Sequence, residues 1–147
     1  MTTLDSAVNT TGCLNGEAPL ICLESVSKVY QTVSGDFFAL KNVSAEVYPE
    51  EFLCIVGKSG AGKTTLLNMI TGVDAISSGF VAVQDVPIHS MTEDQLAQWR
   101  GRNLGIIYQS FELMPMLTLL ENVMLPMDFC GLYDRSSSRE RAMELLR

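Results

Sequence analysis

Nine consecutive residues carry the chemistry most plainly: GKSGAGKTT, Gly57 to Thr65, directly after the apolar run Phe52-Leu53-Cys54-Ile55-Val56. The stretch fits G-x-x-x-x-G-K-[ST] without mismatch, the spacing of a loop that cradles phosphates. Each residue type has a physical task. Gly57, Gly60 and Gly62 are expected to take positive φ and to let the backbone approach a phosphate closely. The N–H groups from Gly60 to Thr65, with Ser59 and Ala61 between the glycines, are expected to form an anion nest. A helix beginning there adds its positive end. Lys63 reaches the β- and γ-phosphates as a mobile point charge. The Thr64 hydroxyl is an oxygen ligand suited to Mg²⁺. Lys58 lends its backbone to the loop, and its side chain reads as solvated rather than as a second phosphate ligand.

The loop needs elements that hold it. Phe52 to Val56 is apolar without alternation and ends at a glycine, the pattern of a strand buried on both faces. Behind the loop, Leu66, Met69, Ile70 and Val73 recur at i, i+3, i+4 and i+7, one face of a helix, and Gly72 is placed to stop it. Leu20 to Val26 reads as a first strand. From Val43 the segment Phe38 to Tyr48 alternates, with Val43, Ala45 and Val47 on one side, as in a half-exposed antiparallel strand. Phe80 to Val83 and Leu104 to Tyr108 read as further strands. Thr92 and Gln95 form a capping box for a helix to about Arg100. Leu119 to Phe129 and Arg135 to Arg147 read as helices. Residues 1–19, rich in Thr, Asn, Gly and Ser, read as a mobile tail, and residues 20–147 as one ordered domain.

The bulk numbers set limits. The chain has 147 residues, 47% of them apolar, enough for a core. A net charge of −7 speaks against a nucleic-acid partner, because no basic stripe offers itself to phosphates. The four cysteines, Cys13, Cys22, Cys54 and Cys130, show no C-x-x-C spacing and suggest neither a zinc site nor a redox motif. Cys54 reads as a small buried hydrophobe. The usage fits a reducing cytosol. No signal peptide and no run approaching ~18 apolar residues is expected to thread a membrane. His89 reads as a surface residue and Trp99 as packing.

A phosphate loop alone fits a kinase, a GTPase, a helicase or a transporter ATPase. Its flanks narrow the choice. Val26-Ser27-Lys28-Val29-Tyr30 and Ala39-Leu40-Lys41-Asn42-Val43-Ser44 precede it, and Ile106-Ile107-Tyr108-Gln109-Ser110-Phe111 and Leu119-Leu120-Glu121-Asn122-Val123 follow. This ordered set, with the words IVGKSGAGKTTLLNMITGVDAISSG and IIYQSFELMPMLTLLENVMLP, resembles the nucleotide-binding domain of ABC transporters. It is most similar to the lipoprotein-releasing and macrolide-export type, from about Ile21 to Arg147.

The resemblance implies an α/β fold: a P-loop NTPase core with an antiparallel β subdomain and the start of a helical subdomain, incomplete as it stands. It implies ATP and Mg²⁺ as cofactors, with Gly57–Thr65 as the Walker A loop. Tyr30 matches the aromatic that stacks on adenine, a task a flat π-face suits. Gln109 matches the Q-loop glutamine that touches Mg²⁺ and the attacking water, so Lys63 and Gln109 are the candidate catalytic pair, and Thr64 and Gln109 the candidate metal ligands. Met114, Met116, Met124 and Met127 lie where the family meets the coupling helix of a transmembrane permease. They serve either as an adaptable groove for that partner or as ordinary core. A second ATPase subunit is the other implied partner, and the inner face of the cell membrane the implied location.

Two departures are visible. Pro49-Glu50-Glu51 replaces the family's Pro-Gly-Glu turn, so the turn is expected to do without easy positive φ, and Tyr108 replaces a common Phe. The signature motif, the Walker B Asp with its catalytic Glu, the D-loop and the switch His are not in this sequence. Negligible hydrolysis by this chain alone is therefore expected, since positioning and charge stabilisation carry phosphoryl transfer. Without a neighbouring strand, Phe52 to Val56 is an aggregation hazard and the chain marginal in solution. The competing readings are a non-hydrolysing ATP-binding or transporter-binding module, and another P-loop enzyme such as a kinase.

Overall fold

The computed structural model describes residues 18–110, 113–131 and 134–147. The tail expected over residues 1–19 falls outside them except for Ala18 and Pro19. The chain divides into two compact units, one up to Met91 and one from Thr92.

In the first unit β1 (Ile21–Thr32) and β2 (Gly35–Val47) form a long antiparallel hairpin, α1 (Lys63–Ile70) follows the glycine loop, and β3 (Ser78–Val83) pairs with the other edge of β1. The sheet order is β2-β1-β3, antiparallel throughout. Its core is Leu23, Val26, Leu40, Val47, Val81, Ala82 and Val83, with Leu66, Met69 and Ile70 of α1. The helix periodicity thus buries the face expected of it, although Val73, beyond the helix end, is exposed. Gly72 takes φ 64 directly after the C-cap Thr71, the left-handed stop a helix uses. At Gly79 an added Cβ would lie 2.6 Å from the Ser25 carbonyl oxygen, so β3 meets β1 backbone to backbone there. A 3₁₀ turn, Ile88–Ser90, closes the unit. His89 on it is exposed, with Nδ1 3.0 Å from the Val81 carbonyl oxygen and its ring edge-on to Phe80.

The second unit holds α2 (Glu93–Asn103), α3 (Leu119–Cys130) and α4 (Arg135–Leu145). The expected Thr92–Gln95 capping box starts α2, an equivalent box between Thr118 and Glu121 starts α3, and the Asp134 carboxylate accepts from the Ser136 and Ser137 amides to start α4. Trp99 is buried, as a packing residue should be. Helices α2 and α3 cross closely at Gly101, where a side chain would collide with the Cys130 sulfur.

Two strand expectations are corrected. Residues 51–58 and 104–108 form no strand, and among the described residues none pairs with them. Phe52 is 97% and Ile107 100% exposed. An apolar run adopts a buried strand only when neighbours supply the ladder bonds and cover both faces. Cys54 is exposed accordingly, rather than a buried hydrophobe. The β1 and β2 strands, in turn, run longer than the alternation suggested. The Pro49-Glu50 turn is also corrected: Glu50 does take positive φ, 65°, and Glu51 braces the turn by accepting from the Tyr48 N–H at 2.8 Å.

Candidate functional site

The first unit assembles a site around the N-terminus of α1. Gly60 and Gly62 adopt φ 78 and 91, as the spacing requires. Gly57 does not. Its φ lies outside the left-handed region, and a Cβ there would meet only ordinary contacts at 3.5 and 3.9 Å, so the expectation of positive φ at Gly57 is corrected. Gly62 is the tightest point: a Cβ would sit 2.6 Å from the Ala39 carbonyl oxygen and 3.2 Å from Leu40 Cδ2. The loop therefore rests on β2 through bare backbone. Ser59 is exposed and Ala61 and Thr65 half-buried, while the Ala61 N–H donates within the loop to the Lys58 carbonyl at 3.2 Å, which withdraws one amide from the expected nest.

Helix α1 differs from the other three helices at its start. Each of those is capped by a Thr or Asp side chain. Helix α1 has Gly62 at its N-cap, no side-chain cap and no acidic residue in the first turn. The amides of Lys63, Thr64 and Thr65 have no acceptor within the helix, because first-turn N–H groups never do. The sequence thus leaves the positive end of α1 open to an external anion.

Lys63 stretches back across the loop. Its ammonium donates to the carbonyls of Gly57 and Lys58, both at 2.8 Å. An ammonium has three donors, so the third remains for a phosphate oxygen held over the loop. Lys58 itself is exposed, as expected of a solvated position.

Tyr30 on β1 is 38% exposed and held at two points. Its hydroxyl donates to Asp74 Oδ2 at 2.8 Å, and the Lys28 ammonium lies 4.9 Å from its ring centroid. Lys28 donates to Asp74 Oδ1 and to the Ala75 carbonyl, both at 2.6 Å. The hydrogen bond to the Asp74 carboxylate pushes the Tyr30 phenol above its ordinary value, with Thr65 acting the other way. Burial pushes the Asp74 carboxyl up, but the bonds from Lys28 and Tyr30 outweigh it and hold the group below its ordinary value. Sequence reasoning missed Lys28 and Asp74. A signal existed: Val26, Lys28 and Tyr30 alternate along one strand, Val26 is fully buried, and Lys28, 9% exposed, faces the same interior and needs an acceptor.

Gln109 lies in the second unit, exposed, in a bend after residues 104–108. In the same unit the methionines divide. Met114 and Met116 are exposed, Met124 is buried and Met127 partly so. Asn122 ties the loop before α3 together. Its Oδ1 accepts from the Met114 N–H at 2.7 Å, and its Nδ2 donates to the carbonyls of Met114, Leu117 and Thr118.

The first unit thus sets an uncapped helix start behind a glycine loop with a lysine across it, the arrangement that the P-loop spacing leads one to expect. The family profile described as ABC transporter matches residues 40–147, and the chain belongs to that family. It is 37% identical to MJ0796, an uncharacterized ABC transporter ATP-binding protein of Methanocaldococcus jannaschii, over 87% of this chain and 55% of the relative. It is 38% identical to the lipoprotein-releasing system ATP-binding protein LolD of Bacteroides thetaiotaomicron, over 86% of this chain and 56% of that protein. The dimeric structure of MJ0796 in a post-hydrolysis state, bound to ADP and phosphate, superposes with a TM-score of 0.78 at 36% identity, covering 84% of this chain and 54% of that one. The α/β fold of an ABC cassette is thereby established for the part present. The chain spans about half the length of the relatives it matches.

Proposed function

We propose that this chain binds MgATP at Gly57–Thr65 as the ATP-binding portion of an ABC transporter. The observation that carries the reading is the open N-terminus of α1, the one described α-helix with neither side-chain cap nor acidic first turn, behind a loop that Lys63 spans. Within the proposal Lys63 offers its third proton to the β- and γ-phosphates, the first-turn amides hold phosphate oxygens, and the Tyr30 ring stacks on adenine. The exposed Thr64 hydroxyl is the chain's ligand for Mg²⁺. Among the described residues no cluster of three or more His, Cys, Asp or Glu can hold a metal. That fits an ion that arrives with the nucleotide and keeps phosphate and water ligands. Gln109 belongs to the proposal as the residue that contacts Mg²⁺ and the attacking water.

Residues 20–147 constitute the ATPase portion, preceded by a segment at 1–19. A second ATPase subunit and a transmembrane permease complete the machine, the permease through its coupling helix at the Met114–Met127 region. The whole would power export or lipoprotein release from the inner face of the cell membrane. The named functions of LolD and of a macrolide export ATP-binding/permease protein from Syntrophobacter fumaroxidans, 36% identical over 86% of this chain and 18% of that protein, support this reading.

The test is calorimetric titration of MgATP into the wild-type chain and into Lys63→Ala. Loss of a charge-assisted contact to phosphate predicts affinity lower by about 10- to 100-fold. Equal affinity in the two proteins refutes the site.

A further inference from the structure

We infer that Asp74, locked in place by Lys28, is a positioning residue for base recognition: it fixes the Tyr30 ring so that one face stays presented to a purine. The inference rests on the proposal above that Tyr30 meets the adenine.

The geometry is specific. Lys28 and Tyr30 are two residues apart on β1, so their side chains leave the same face of the sheet. Each takes a different oxygen of one carboxylate, Lys28 the Oδ1 at 2.6 Å and Tyr30 the Oδ2 at 2.8 Å. The Lys28 ammonium also bonds the next carbonyl, Ala75, and lies over the Tyr30 ring. One face of the ring is thus covered by a cation, which leaves the other for stacking. The ring is held at its far end by the hydroxyl, so rotation about its side-chain bonds is suppressed before any ligand arrives.

Asp74 is itself anchored to the phosphate-binding helix. After Gly72 turns the chain, the Val73 and Asp74 N–H groups both donate to the Asn68 carbonyl, at 2.9 and 3.3 Å. The helix whose first turn faces the phosphates therefore also carries, through the turn after it, the group that sets the base platform. Base and phosphate subsites are registered by one element rather than by two independent ones. Such preorganisation raises affinity by removing the ordering cost from the binding step.

The experiment compares MgATP with magnesium tripolyphosphate, which has the phosphates and no base, by calorimetry on the wild-type chain, Tyr30→Ala, Tyr30→Phe, Asp74→Ala, Asp74→Asn and the double variant Tyr30→Phe/Asp74→Ala. Tyr30→Phe and Asp74→Ala should each weaken MgATP about 3- to 10-fold and leave tripolyphosphate unchanged. The double variant should bind MgATP no worse than the weaker single one, and Asp74→Asn, which keeps an oxygen for the hydroxyl, should retain part of the effect. A merely structural role would move both ligands together, and that result overturns the inference. So does an Asp74→Ala affinity for MgATP equal to wild type while Tyr30→Ala loses the preference for ATP. If Tyr30→Ala keeps the full preference for ATP over tripolyphosphate, the base-stacking reading itself fails, a different outcome. Should Asp74→Ala not fold, Tyr30→Phe and Asp74→Asn carry the comparison, since each alters a single group.

Discussion

Replacing each loop glycine by alanine in turn separates what the sequence pattern demands from what the geometry demands. The motif treats Gly57, Gly60 and Gly62 as equivalent glycines. The structure ranks them. At Gly57 the φ is ordinary and the added methyl touches Ala61 Cβ at 3.5 Å, so Gly57→Ala should change stability by no more than about 0.5 kcal/mol. At Gly60 the space is open, but φ is 78, so the left-handed conformation alone costs about 1–2 kcal/mol for an L-residue. At Gly62 the same term applies at φ 91, and the methyl meets the Ala39 carbonyl oxygen at 2.6 Å. An ordinary carbon–oxygen contact is about 3.3 Å, so backbone must yield by roughly 0.7 Å. The obstacle is a strand peptide, not the end of a flexible side chain, and such overpacking adds about 1–3 kcal/mol. The total for Gly62→Ala is about 2–5 kcal/mol, a large share of the ~5–15 kcal/mol that holds a domain together.

Urea unfolding followed by far-ultraviolet circular dichroism reads the stability order, and MgATP calorimetry reads the site. Gly57→Ala should keep both. Gly60→Ala should lose some stability. Gly62→Ala should lose the most and bind MgATP poorly, because the amides of Lys63 to Thr65 turn with the displaced N-cap. A Gly57→Ala protein as unstable as Gly62→Ala, or a Gly62→Ala protein as stable as wild type, refutes the reasoning.

Two further outcomes are expected in the second unit. Asp134 titrates at about 2 in the folded chain against an ordinary 3.8, chiefly because the Ser136 hydroxyl and the Ser136 and Ser137 amides bond its carboxylate. A lowered folded value means this stabilisation is complete above about pH 4 and lost as pH falls through about 2. Acid unfolding of Asp134→Asn should lack that component, and an identical acid profile would count against the cap. Asn122→Ala should free the Met114 amide, now bonded at 2.7 Å, and lower stability by about 1–2 kcal/mol. Hydrogen exchange at Met114 that stays as slow as in wild type would show the loop is held otherwise.

Much of this was legible in the sequence where the determinant was local. The Thr92–Gln95 box, the Gly72 stop and the apolar face of α1 are each written within a few residues; the first two formed as read, and the face formed at Leu66, Met69 and Ile70 but not at Val73. The phosphate loop is partly the same kind of signal: Gly60 and Gly62 take the positive φ that the spacing suggests, whereas Gly57 does not. What failed was whatever needs a distant partner. Phe52–Val56 and Leu104–Tyr108 have strand composition, but a strand is made by its neighbours, and neither segment has one among the described residues. Glu50 at φ 65 shows the reverse case, a turn conformation imposed on a residue that does not prefer it. The Lys28–Asp74 pair lies 46 residues apart in sequence. Only the side of β1 on which Lys28 falls hints at it, and nothing local names the acceptor.

These failures bear on how the loop is held. Among the described residues no strand pairs with the residues entering it, 51–58, and all of them but Ile55 are exposed, so the strand side contributes little to fixing Gly57 and Lys58. The helix side does that work: Gly62 against Ala39 and Leu40, Leu66, Met69 and Ile70 in the core, and Lys63 bonded back to the two carbonyls at the loop's entrance. Under the proposed function Lys63 serves the loop entrance with two protons and phosphate with the third, and an ammonium drawn further toward the nucleotide would release those carbonyls. A neighbouring strand paired with Phe52–Val56 would fix the entrance independently and free Lys63 for the ligand. Phosphate affinity at this site should accordingly rise with anything that pairs residues 52–56, even where no new group touches the nucleotide.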